Sequence, residues 1–131
     1  MRSNVSFLAV VLTAALVIPT ALQAGELEIH DAVIATSVDD RVPQGVDTTF
    51  PAFADKLYAF TRVVGATEDT FITHTWYYGN FLVGEVSLPV RNSNWRTWSA
   101  KNISPEWTGQ WRVEVVTEDG IVIDRLYFTV E

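Results

Sequence analysis

The sequence predicts an all-β fold, an antiparallel β-sandwich of about seven strands, on three observations. Apolar and polar residues alternate with period two along most of 27–130, and none of these segments carries helical spacing. Turn-forming residues interrupt the alternation at intervals of roughly 8–12 residues, the rhythm of a sandwich or small barrel. Four of the five tryptophans fall within the 17 residues from Trp95 to Trp111. Indoles bury roughly 150–250 Å² each, so this stretch is either the spine of a core or a binding platform.

The chain has 131 residues, room for one domain. Arg2 gives a short positive start, Val5 to Ile18 is mostly apolar, and Ala21-Leu22-Gln23-Ala24 resembles a signal-peptidase site. Residues 1–24 are therefore expected to be a secretory signal, and 25–131 a single domain. The alternative is a retained anchor, but the apolar run is shorter than the ~20 residues of a spanning helix. Without Arg2, 8 basic residues face 16 acidic ones, a net charge of −8. Such a surface disfavours nucleic acid and anionic lipid. The chain has no cysteine, which removes disulfides, thiolate metal sites, a cysteine nucleophile and a lipid-modified junction. Apolar packing must supply the stability.

Leu27 to Val38 reads as a strand with Leu27, Ile29, Val33 and Ala35 on one parity and a kink at Asp31. Asp39 to Asp47 is rich in turn formers and reads as a loop. Its three carboxylates match no EF-hand spacing, so a solvated acidic loop is favoured over a calcium site. Lys56 to Val64 is a strand with Tyr58 and Phe60 opposite Leu57 and Ala59. Phe71 to Tyr78 follows, with Ile72, His74, Trp76 and Tyr78 in phase. Gly79-Asn80 has the spacing of a tight hairpin with positive φ angles. On the returning strand, Leu82, Val86, Leu88 and Val90 are expected to share a face, with Gly84 at a bulge or close approach. Trp95 to Lys101 reads as a short or edge strand in which Trp95 and Trp98 differ in parity, so one should be partly exposed. After a corner at Pro105, Trp111, Val113 and Val115 alternate with Gln110, Arg112 and Glu114. Asp119-Gly120 turns the chain into Ile121 to Val130, where a parity change predicts a bulge near Arg125.

The lead-in Gly109-x-Trp111-x-Val113 resembles the start of immunoglobulin strand F, with Trp76 in the place of the strand-C tryptophan, so the sandwich is expected to be immunoglobulin-like. A more specific resemblance lies in His74-Thr75-Trp76-Tyr77-Tyr78-Gly79-Asn80, Val86-Ser87-Leu88-Pro89-Val90, Trp95-Arg96-Thr97-Trp98-Ser99-Ala100-Lys101 and Gly109-Gln110-Trp111-Arg112-Val113-Glu114-Val115, closed by Asp119-Gly120. Together they resemble the bacterial family known as domain of unknown function 2914, over about Val64 to Glu131. Ala32 to Pro43 resembles a segment that often precedes it. The resemblance implies a domain type and carries no catalytic residue.

His74 is the first candidate for chemistry, since imidazole is the usual general base and a common metal ligand. His30 is the only other histidine, and no close-spaced ligand motif joins them, so zinc or copper is poorly supported. A histidine at the core edge, bonded to backbone, is the blander alternative. Arg91, Arg96 and Lys101 cluster in sequence, with Arg112 on a neighbouring strand. They suit a carboxylate, sulfate or acidic sugar stacked on Trp95 or Trp98. Cross-strand pairing with Glu85, Glu106 and Glu114 is the structural alternative, worth roughly 0–1 kcal/mol per exposed pair.

The expectation is thus a non-enzymatic, cofactor-free, exported module. It would bind a protein or carbohydrate partner in the bacterial periplasm or cell envelope, without nucleic acid and without membrane insertion after signal cleavage. The candidate site residues are Trp95, Arg96, Trp98, Lys101, Arg112 and His74, the face of Trp98, Arg96 and Lys101 foremost. Two alternatives remain: a structural or assembly subunit using an exposed edge, and a small metal-binding or hydrolytic protein centred on His74.

Overall fold

The computed structural model describes residues 26–131; the expected signal segment 1–24 lies outside the described residues. Seven long strands form: β1 (Glu28–Ala35), β5 (Lys56–Val64), β6 (Thr70–Tyr78), β7 (Phe81–Val90), β8 (Asn94–Asn102), β9 (Gly109–Thr117) and β10 (Val122–Val130). Three short ones, β2 (Ser37–Asp39), β3 (Val42–Gln44) and β4 (Thr49–Phe50), lie between β1 and β5. A three-stranded sheet in the order β1-β5-β8 packs on a five-stranded sheet in the order β4-β10-β9-β6-β7, and β2 and β3 pair as a separate ribbon. The long strands pair antiparallel, while β4 runs parallel to the end of β10.

Strict alternation explains the sandwich. In β9, Trp111, Val113 and Val115 are buried while the residues between them face outward, and in β5 Leu57, Ala59, Thr61 and Val63 do the same. The core has two parts. The larger contains Trp76, Trp111 and Phe128 from one sheet against Leu57 and Ala59 from the other. Trp76 and Trp111 are 0% and 1% exposed, so indoles do fill the space between the sheets. The smaller gathers Leu27, Val63, Ile72, Val90 and Val115.

Three local expectations are corrected. Asp39 to Asp47 is not simply a loop: Asp40 and Arg41 adopt positive φ (49° and 60°), which closes Ser37–Asp39 and Val42–Gln44 into the β2–β3 ribbon. Leu82 does not share a face with Val86 and Leu88. A register shift opposite Trp76/Tyr77 makes Val83 the extra residue, so Leu82 pairs with Tyr77 and is 55% exposed. In the β6–β7 turn Gly79 has positive φ (55°) and Asn80 does not. The bulge that parity predicts near Arg125 is present, as a register shift between Val122 and Asp124. The kink near Asp31 is present, as a register shift between Ile29 and Asp31.

Candidate functional site

The outer face of the three-stranded sheet carries an aromatic row and a charged row. Register sets Val33, Phe60 and Trp98 side by side, and next to them Asp31, Arg62 and Arg96. Phe60 and Trp98 stack with centroids 6.3 Å apart and planes 16° apart. Phe60 is nevertheless only 3% exposed, because Val42, Pro43 and Val46 from the ribbon region lie over this face. The ribbon turn also delivers Arg41, whose carbonyl accepts a 3.4 Å hydrogen bond from Arg96 Nη1.

Two adjoining clefts result. One, of about 490 Å³, is lined by Arg41, Asn92, Asn94, Trp95, Arg96 and Trp98. The other, of about 230 Å³, is lined by Asp31, Val42, Pro43, Val46 and Phe60, and shares Arg41 and Arg96 with the first. The larger falls within the size range of small-molecule sites. Trp95 and Trp98 are both half-buried, on opposite parities: Trp95 packs against the smaller core cluster and Trp98 beside Phe60. In the charged row, Arg62 Nη1 lies 3.6 Å from Asp31, while Arg62 Nε is buried without a protein acceptor.

Lys101 does not join Arg96 and Trp98. It lies three positions beyond Trp98, an odd offset that reverses its parity, and its methylenes lie where a Cβ on Gly84 would approach them at 3.3 Å. Arg112 lies on the outer face of the other sheet. Its Cζ stands 3.9 Å from the Tyr77 ring centroid, its Nη1 donates to the Gly79 carbonyl at 3.0 Å, and its Nε donates to Glu114 at 3.3 Å. Arg125 Nε donates to the same carboxylate oxygen at 2.9 Å. Burial alone would raise the Glu114 pKa, but these hydrogen bonds and charges, Arg125 foremost, outweigh it and hold the carboxyl below its ordinary range. Of the three expected carboxylate partners, Glu114 pairs; Glu106 instead accepts from Ser104 at 2.7 Å, and Glu85 is exposed.

His74 is fully buried between the two core clusters, bonded to side chains rather than backbone. Its Nδ1 lies 2.7 Å from Ser99 Oγ and its Nε2 3.2 Å from Thr61 Oγ1. Hydrogen-bond accounting assigns the protons. The Thr61 hydroxyl gives its one hydrogen to the Thr97 carbonyl at 3.3 Å, so Nε2 carries the ring proton and donates to Thr61 Oγ1. Nδ1 is then the acceptor and takes the hydrogen of the Ser99 hydroxyl, whose oxygen accepts from Trp76 Nε1 at 3.0 Å. Burial lowers the His74 pKa to about 4, keeping the ring neutral. Ser99 and His74 have the contact of a nucleophile and its base, yet they are 4% and 0% exposed. His30 is at the surface, 3.4 Å from Glu28. Among the described residues no three His, Asp or Glu side chains converge as a metal site.

The sequence reading therefore found Trp95, Arg96 and Trp98, and missed Arg41, Phe60, Asn92 and Asn94. A cation at the tip of a turn-rich loop, followed by Val42 and Pro43, was the one available signal for Arg41.

Residues 69–130 match the model of a family described as a protein of unknown function (DUF2914), in line with the resemblance of the C-terminal half. Comparison with curated proteins finds no match.

Proposed function

We propose, for a chain whose residues 69–130 carry the DUF2914 sequence, that the protein is an exported, non-catalytic binding module of the bacterial cell envelope or periplasm. It holds a protein or carbohydrate partner in the cleft between β8 and the β2–β3 ribbon. The observation that carries this reading is Trp98 beside Arg96 and Arg41 in a cleft of about 490 Å³, on a chain whose net charge is −7. Recognition energy concentrates in aromatic and arginine side chains of this kind. The signal-like residues 1–24 and the absence of cysteine support export and stapling by packing alone. The sheet orders β1-β5-β8 and β10-β9-β6-β7, with Trp76 against the β9 side, support an immunoglobulin-like sandwich, which presents sites on a rigid frame. The test is affinity capture from an envelope extract with residues 25–131 and with the Trp98→Ala variant. Loss of a partner with the variant is expected; equal recovery by both rejects the cleft as the site.

A second reading, an assembly subunit, draws on β7. This ten-residue strand pairs with β6 on one side and is the edge of its sheet, with Phe81 75% and Leu82 55% exposed at its start. Pro89 and the bulge at Val83 are features that limit edge-to-edge pairing, so the cleft is preferred.

A further inference from the structure

We infer that the ligand of this cleft is an acidic saccharide, a sugar ring bearing a carboxylate, which rests on the binding-module reading and narrows it. Eight basic residues lie within 26–131, and three of them, Arg41, Arg62 and Arg96, belong to one face. Arg62 and Arg96 are direct cross-strand partners, an arrangement of like charges that is unfavourable unless an anion compensates it. Asp31 reaches Arg62 at 3.6 Å, and no carboxylate reaches Arg96 or Arg41 among the described ion pairs. By contrast, Arg112 and Arg125 on the other sheet are already committed to Glu114.

The remaining lining specifies more than charge. A guanidinium fork matches a planar carboxylate, and an indole matches the apolar face of a pyranose. Asn92 Oδ1 accepts the Asn94 backbone N–H at 3.1 Å, which leaves the Asn92 amide donors and the whole Asn94 amide for ring hydroxyls. A carboxylate, an apolar ring face and several hydroxyls in one ligand describe a uronic acid unit. A peptide C-terminus would present the carboxylate without the hydroxyls, and such termini are typically captured by backbone N–H groups.

The experiment titrates residues 25–131 with oligogalacturonate and with its methyl ester, following tryptophan emission and heat. The ester keeps the rings and loses the charge. Binding of the acid, weakened about tenfold or more by esterification and by Arg96→Ala, is expected, as for loss of a charge-assisted pair. Affinity should fall with added salt, and Arg91→Ala, a cation outside the cleft, should bind like the wild type. Thermal midpoints of both variants confirm that they are folded. Equal binding of acid and ester overturns the acidic specificity while leaving a sugar site. Binding of neither, with a protein still captured through Trp98, overturns this inference and spares the binding module. Binding of neither, with no capture, overturns both.

Discussion

At neutral pH the His74 ring is uncharged, since burial holds its pKa near 4 and Ser99 already donates to Nδ1. In the unfolded chain its pKa returns to 6.5, so the unfolded state binds the extra proton first as pH falls. The contribution is therefore complete above pH 6.5, lost progressively between 6.5 and about 4, and constant below that. Its size is about 3 kcal/mol, from 1.36 kcal/mol per pKa unit. Urea midpoints across pH 4–7 should fall accordingly, and His74→Gln should flatten that slope. Glu114 acts in a different window: its depressed pKa gives stability present above the ordinary carboxylate range and lost as pH drops through the folded value. Removing the shared hydroxyl with Ser99→Ala orphans the Trp76 N–H and should cost about 1–3 kcal/mol, read by denaturant unfolding.

Between strands, backbone conformation sets what the turns tolerate. Gly65 (φ 99°) joins β5 to β6, and a Cβ there would lie 2.8 Å from the Glu26 carbonyl oxygen. Gly120 (φ 83°) has a similar conformation with open space around it. Gly65→Ala should therefore lower stability by about 1–3 kcal/mol, and Gly120→Ala by about 1 kcal/mol, a contrast visible in their melting temperatures. Elements whose burial follows simple alternation were legible in the sequence: β5, β6 and β9 have the faces that their parity implies. Leu82 was not, because one inserted residue, Val83, inverts everything on its far side. The site was half legible for the same reason. Arg96 and Trp98 share parity within one strand, whereas Arg41 reaches them from 55 residues away through a ribbon whose turn formers masked its strands. Lys101 was grouped with them by proximity in sequence although its parity set it apart.

Across the whole molecule, the layer of His74, Thr61 and Ser99 separates two apolar clusters that unfold with one sandwich. Val130→Ala, in the larger cluster, and Ile72→Val, in the smaller, share no apolar neighbour group. Their destabilisations should add within about 0.5 kcal/mol in a double-mutant cycle, and a larger coupling would mean that the polar layer transmits strain between them. At one end of the sandwich Tyr78, Trp107 and Trp111 lie face to face or tilted, with centroids 5.0–6.0 Å apart. Chromophores this close in a fixed, chiral arrangement couple their electronic transitions. The circular dichroism of the protein between 260 and 300 nm should therefore be dominated by about three rings, and its disappearance would signal loosening of the β8–β9 connection before secondary structure is lost. The fold thus carries an optical gauge of its own tightness, independent of the cleft and of whatever the cleft holds.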